Sequence, residues 1–325
     1  MRYVEVNGAR VSVVGLGTWQ FGSGDWGYGS AYAQNEATAI LERALDLGVN
    51  LVDTAEIYAR NESERIVGSV IGARRDDVFI ATKHAPFFPR AGAVEKHGRA
   101  SAQRLRVENI DLYQLHWPNP VVPIGEQMRG MRALQEAGVV NHVGVSNFSR
   151  HRWEVAERVL GGPVLSNQVQ YSLAFRKHDA DVVPYAAAHD RLVIAYSPLA
   201  KGLLSGRYDA DNLPRNPARL NDPLFLPENV TRAHDLIETL RRIGAAHDAT
   251  PSQVALAWVV SRPNVVAIPG ASSVAQLEAN VAAADLELSV GEIEELAAVS
   301  GAFAPVRGAR GLAKSAARRL QRPKQ

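Results

Sequence analysis

Four polar side chains sit where short apolar runs stop. Asp53 ends the run at 50–54, Tyr58 follows five residues later, Lys83 ends 78–83, and His116 ends 111–116. Brought together, these residues suit proton delivery to an oxygen. A phenol with a reference pKa of ~10 is a poor donor near neutrality. A neighbouring ammonium favours the phenolate, so Lys83 is expected to lower the pKa of Tyr58. Asp53 would keep that ammonium charged in a partly dry site. His116 would hydrogen-bond the phenol or orient a carbonyl oxygen. The set fits donation of a proton to an oxygen that becomes an alkoxide, which reduction of a carbonyl by hydride transfer requires. Tyrosine supplies no hydride, so this chemistry needs a nicotinamide cofactor.

These residues need a scaffold that brings strand ends to one face. Strand-like runs occur at 14–18, 50–54, 78–83, 111–116, 142–147, 167–171, 192–197 and 265–269. Several are apolar on consecutive positions, as parallel strands covered on both faces should be. Helical periodicity fills the intervals at 35–48, 61–75, 123–138 and 149–161. Capping boxes open at Thr250 and Ser289. The alternation predicts an α/β fold, a (β/α)8 TIM barrel with functional groups at the C-terminal ends of its strands. Asn7-Gly8 between two β-branched runs predicts an N-terminal β-hairpin. The long gap before the last strand must hold an insertion, and four prolines at 209–229 suggest a surface loop. An open doubly wound sheet is the runner-up. It fails because Gly15-Leu16-Gly17 meets Gln20 where a dinucleotide fingerprint needs glycine. We expect one barrel over 1–300 that binds cofactor and substrate, followed by a tail over 301–325.

Composition narrows the chemistry. The 325 residues contain no cysteine, which removes disulfides, zinc–thiolate sites, iron–sulfur clusters and a thiol nucleophile. No metal site is expected. Residues 301–325 carry seven Lys or Arg and no acid, leaving 29 basic against 34 acidic residues elsewhere. An acidic body argues against nucleic-acid binding. No apolar run reaches the ~18 residues of a membrane span. The first 20 residues lack a signal-peptide pattern, so a cytoplasmic location is expected.

The segments Asp53-Thr54-Ala55-Glu56-Ile57-Tyr58, Ile80-Ala81-Thr82-Lys83, Leu112-Tyr113-Gln114-Leu115-His116-Trp117-Pro118 and Gly144-Val145-Ser146-Asn147-Phe148-Ser149 resemble signatures of the aldo-keto reductase superfamily. So do Asn167-Gln168-Val169-Gln170-Tyr171-Ser172, Tyr196-Ser197-Pro198-Leu199 and Ile268-Pro269-Gly270-Ala271-Ser272. The resemblance runs in order from about residue 11 to 300. It implies an oxidoreductase reducing aldehydes or ketones, with Tyr58 as general acid, Lys83 and Asp53 tuning it, and His116 placing the substrate oxygen. Ser146, Asn147 and Gln168 would hold the nicotinamide carboxamide, and Tyr171 would stack on its ring. Ser197, Leu199, Gly202, Leu203 and Ser205 would line the pyrophosphate. Ser272, Ser273, Gln276 and Asn280 would hold the adenosine end, with Gly17, Thr18 and Trp19 contributing from the first strand.

Family members that prefer NADPH often carry Lys and Arg where this chain has Gly270 and Gln276. Ser272, Ser273 and helix-start N–H groups could substitute, so NADPH is favoured and NADH stays open. Trp19, Trp26, Phe87, Phe88 and Trp117 would wall a pocket for a small-molecule carbonyl. Two other functions remain: a cofactor-sensing regulatory subunit, and an NAD-dependent alcohol or polyol dehydrogenase using the same residues in reverse. His84 and His97 have no such context and read as incidental, while Trp153 and Trp258 read as core. The tail is expected to be in part an active-site loop and, beyond about residue 310, a frayed terminus.

Overall fold

The structure, a computed structural model, describes residues 1–23 and 35–320. A hairpin of β1 (Tyr3–Val6) and β2 (Ala9–Ser12) opens the chain, turning through Asn7 and Gly8 with φ of 49° and 78°. Those positive values are what a tight I′ turn demands.

Eight parallel strands follow: β3 (Leu16–Gly17), β4 (Leu51–Asp53), β5 (Phe79–His84), β6 (Ile110–Leu115), β7 (Val140–Ser146), β8 (Ser166–Gln170), β9 (Leu192–Tyr196) and β10 (Val265–Ala267). They pair in sequence order. A Val14–Ala267 bridge closes the ring, with Gly15 N donating to Ala267 O and Ala267 N to Val13 O, both at 2.8 Å. The expected (β/α)8 barrel is therefore the observed fold.

Strand side chains alternate between faces, and the two faces make two cores. Leu51, Phe79, Ala81, Leu112, Leu192, Ile194 and Val266 point inward and pack with Val6, Ala9 and Val11 of the hairpin. The hairpin thus plugs one end of the barrel. The outward residues pack against surrounding helices. These helices include α1 (Ala37–Asp46), α2 (Glu62–Ile71), α3 (Ala91–Leu105), α4 (Ile124–Glu136), α5 (Arg150–Leu160) and α6 (Val182–Ala188). Trp153 is fully buried and its indole N–H donates to Val164 O at 2.9 Å.

The insertion is more regular than its prolines suggest. It forms α7 (Pro217–Leu220), a 3-10 turn Pro223–Phe225 and α8 (Pro227–Arg232), each with Pro at its start. Proline there loses nothing, since the first helical N–H has no partner anyway. After α9 (His234–Ala246) come α10 (Pro251–Val260), α11 (Val274–Ala282) and α12 (Val290–Ala302). Both expected capping boxes, at Thr250 and Ser289, form.

The tail departs from expectation. Residues Gly308–Leu320 form a helix, α13, docked on the insertion. Lys314 pairs with Glu228 at 2.6 Å, and Arg318 donates to Phe225 O at 2.8 Å. Its buried face is Gly311 and Ser315, whereas Leu312 is 59% exposed. Small residues there let the helix sit close to the insertion. No residue of 301–320 lines the barrel mouth cavity. Among the described residues no helix is long and apolar enough to cross a membrane.

Candidate active site

Strand alternation decides which side chains reach the barrel interior. Asp53 follows inward Leu51 by two residues, and Lys83 follows inward Ala81 by two. Both are buried. Lys83 Nζ donates to Asp53 Oδ1 at 2.6 Å, to Thr54 O at 2.7 Å and to Tyr58 Oη at 3.3 Å. All three ammonium protons are thus committed. Burial pulls the Lys83 ammonium down, but Asp53 and Tyr58 more than offset this and hold it above its usual value. Breaking a buried pair by removing one partner costs about 3–5 kcal/mol.

Tyr58 sits on a turn, Tyr58–Asn61, in which Ala59, Arg60 and Asn61 have φ of 46°, 54° and 72°. Three successive left-handed residues are strained, and such strain concentrates at functional sites. The Tyr58 phenol differs from expectation. Burial raises its pKa, and the opposing pull of Lys83 does not overcome it. The phenol is therefore protonated at neutral pH. His116, just past β6, packs edge-on to Tyr58 with ring centroids 5.8 Å apart. Burial and then Lys83 depress its pKa to about 3, so its ring is neutral.

A cavity of about 1220 Å³ runs from Asp53, Tyr58 and His116 to Ser272, Gln276 and Asn280. That exceeds the ~300–1,000 Å³ of an ordinary ligand pocket and leaves room for a dinucleotide beside a substrate. Midway, Gln168 donates to Asp53 Oδ2 at 2.7 Å, and Ser146 donates to Gln168 O at 2.8 Å. Asn147 Nδ2 donates to Ser146 Oγ at 3.0 Å, and Tyr196 Oη to Asn147 Oδ1 at 3.0 Å. Gly17 lines the same wall where a Cβ would lie 2.7 Å from Ile268 O. Lys201 and Gly202 follow in left-handed conformation, and Lys201 pairs with Asp222 at 2.8 Å. At the far end Ser272 N and Oγ both donate to Gln276 Oε1, and Asn280 Nδ2 reaches Gly270 O at 3.4 Å.

Of the expected cofactor residues, Gly17, Trp19, Ser146, Asn147, Gln168, Ser197, Leu199, Gly202, Ser205, Ser272, Gln276 and Asn280 line this cavity. Four do not. Thr18 is buried, donating to Asp53 O at 2.9 Å. Leu203 is core. Ser273 caps α11, accepting from Gln276 N. Tyr171 is buried against Trp258 with its hydroxyl on Asp179. Gln168 and Gln170 face inward, so Tyr171, one residue out of phase, faces the helices instead. Tyr196 shares the phase of Leu192 and Ile194 and is the aromatic that reaches the cavity. That parity is readable in the sequence and would have selected it.

Among the pocket aromatics, Trp19 and Trp117 line the cavity, exposed by 44% and 47%. Phe87 and Phe88 do not. Both are 71% exposed beyond the lip, on a loop where Phe88 has φ of 44°. Trp26 lies outside the described residues.

A closed parallel barrel whose mouth gathers Tyr, Lys, Asp and His beside a dinucleotide-sized cleft is the scaffold of a nicotinamide-dependent carbonyl oxidoreductase. Residues 13–300 match the Aldo/keto reductase family, and this chain belongs to that family. An uncharacterized oxidoreductase of Mycobacterium tuberculosis is 52% identical over 307 residues, covering 94% of this chain and 95% of that protein. The glycerol dehydrogenase structure from Gluconobacter oxydans superposes with a TM-score of 0.83 at 29% identity, covering 94% and 97% of the two chains. The Klebsiella pneumoniae aldo/keto reductase structure with NADP and acetate gives 0.75 at 31% identity, covering 95% and 98%.

Proposed function

We propose that this chain reduces aldehydes or ketones with Tyr58 as general acid, and that it prefers NADPH. The observation that carries the reading is the contact of Lys83 Nζ with Tyr58 Oη at 3.3 Å while Asp53 holds the same ammonium at 2.6 Å. A protonated phenol is thereby backed by a fixed cation. When bound, the nicotinamide supplies a hydride to the carbonyl carbon. Tyr58 donates its proton to the developing alkoxide, and Lys83 stabilises the phenolate that remains.

His116 takes a second position on the same oxygen. Its Nδ1 is buried with no partner among the described residues. An orphaned lone pair costs less than an orphaned N–H, so the ring proton belongs on Nε2. A neutral imidazole N–H and a phenol O–H aimed at one oxygen form an oxyanion hole.

The cofactor fit rests on Ser146, Asn147 and Gln168 for the carboxamide and on Tyr196 for the ring face. This places on Tyr196 the role first given to Tyr171. Ser272 and the N-terminus of α11 suit a 2′-phosphate. Gly270 and Gln276 offer no cation there, which favours NADH as a second reading. Polyol oxidation needs the Tyr58 phenolate, and a raised phenol pKa favours the reductive direction instead.

The test compares NADPH with NADH by quenching of protein fluorescence, then measures aldehyde turnover by wild type and Tyr58→Phe. The reading expects tighter NADPH binding, with Tyr58→Phe losing about 10²–10⁴-fold in kcat while keeping the quench. Full activity in Tyr58→Phe would falsify the mechanism.

A further inference from the structure

Behind the tetrad lies a cluster that the chemistry above does not use. In β5 the side chain of Lys83 points into the barrel, so His84 points outward to the helix layer. There it meets Glu56, two residues before Tyr58, and His97 on α3. Glu56 Oε1 lies 3.1 Å from His84 Nδ1 and 3.0 Å from His97 Nδ1. The three ligating atoms all fall within 4.8 Å of one another. Their positions at 56, 84 and 97 form no sequence motif, and only the fold brings them together.

We propose that Glu56, His84 and His97 form a binding site for a divalent transition ion of the zinc class. Two imidazole nitrogens and one carboxylate oxygen are a donor set that such ions accept, with a fourth position left for water. Zinc–ligand bonds of about 2.0–2.1 Å put tetrahedral neighbours about 3.3–3.4 Å apart. The two observed separations from Oε1 are a few tenths of an ångström shorter, as expected where hydrogen bonds hold the donors. His84 is buried and His97 has a 40% exposed side chain, so one ligand is fixed and the other opens to solvent.

The surroundings orient the carboxylate by hydrogen bonds, as neighbouring groups orient metal ligands. Ala85 N–H donates to Oε1, and Arg104 lies 3.8 Å from Oε2. Arg104 does not cancel the site's charge, because Glu64 holds it more closely at 2.5 Å. His84 Nε2 is buried without a partner among the described residues. Imidazole-rich sites select zinc-like ions over magnesium, which prefers oxygen.

The test is independent of turnover. Chelator-treated full-length protein is titrated with ZnCl2 by calorimetry, with MgCl2 as contrast, and the cobalt-substituted protein is scanned for tetrahedral d–d absorption. One Zn2+ per chain is expected, with no displacement by Mg2+. His97→Ala, at a partly exposed position that leaves the barrel intact by circular dichroism, should weaken binding at least tenfold and lose the cobalt bands. Glu56→Gln should do the same. Absence of stoichiometric Zn2+ binding by wild type overturns the site. So does equal binding by His97→Ala, which would put the ion elsewhere.

Discussion

Gln168 donates its side-chain amide to Asp53 Oδ2 at 2.7 Å inside the barrel. The other oxygen of that carboxylate holds Lys83. A residue on the cavity wall is therefore tied directly to the ion pair behind Tyr58. Gln168→Leu removes the donor and leaves a buried carboxylate oxygen unpaired, a cost of about 1–3 kcal/mol. Both readouts should move: NADPH affinity by fluorescence quenching and kcat on an aldehyde, each by roughly 5–100-fold. A variant that weakened cofactor alone would show that the Asp53 contact carries no catalytic weight.

If Tyr58 is the general acid, its phenol sets the pH profile of reduction. It must then be protonated, and burial holds its folded pKa above the usual 10. The rate of aldehyde reduction should stay level from about pH 6 to 9 and decline only above ~10. His116 adds no limb in that range, because its pKa near 3 keeps it neutral throughout. A descending limb centred near pH 6.5 would contradict the buried, neutral histidine.

The barrel was legible because its signals are periodic and local. Consecutive apolar runs, capping boxes at Thr250 and Ser289, and Asn7-Gly8 each specify one element without tertiary help. The tetrad was legible because Asp53, Lys83 and His116 fall at the ends of successive strands and Tyr58 follows the first of them by five residues. What failed needed direction as well as position. The resemblance alone put Tyr171 on the ring, whereas one residue of register turns a strand side chain to the opposite face. The sign of the Tyr58 shift depended on how much water the fold excludes, which no spacing reports. The His84–His97 pair was passed over because its third member, Glu56, comes from another strand end.

Tyr196 and Tyr171 separate cleanly by mutation. Tyr196→Ala removes a ring from the cavity wall and frees Asn147 Oδ1 from its 3.0 Å bond. Cofactor quenching should weaken by roughly tenfold or more, the loss of one aromatic contact and one hydrogen bond. Tyr171→Phe leaves the cavity untouched and removes only the hydroxyl bond to Asp179. It should lower the melting temperature with cofactor affinity unchanged. The reverse pattern would restore Tyr171 as the stacking residue.

His116 also carries a stability signature. Its folded pKa is near 3 against 6.5 in the unfolded chain. Between those values the unfolded state binds the extra proton, so stability falls as pH drops from about 6.5 toward 3. One group contributes at most about 1.4 kcal/mol per pH unit. His116→Gln removes the titration, and its denaturant midpoint should decline less steeply with acid than that of wild type. Parallel slopes would mean the ring is charged in the folded protein.

The docked tail makes a final prediction about the cleft. α13 holds the insertion through Lys314–Glu228 and Arg318–Phe225 O, with Gly311 against Pro223. The turn it grips, Pro223–Phe225, directly follows Asp222, which anchors Lys201 at the cavity wall. An exposed ion pair contributes about 0–1 kcal/mol and a hydrogen bond about 1 kcal/mol, so deletion of 308–325 should cost about 1–2 kcal/mol. That corresponds to a fall of about 2–4 °C in Tm. With the turn loosened, NADPH should dissociate several-fold faster in stopped-flow quenching. Gly311→Val should reproduce the effect, since a Cβ there would lie 2.9 Å from Pro223 Cβ. Unchanged dissociation in both variants would mean that the helix merely covers the insertion and does not brace the cofactor wall.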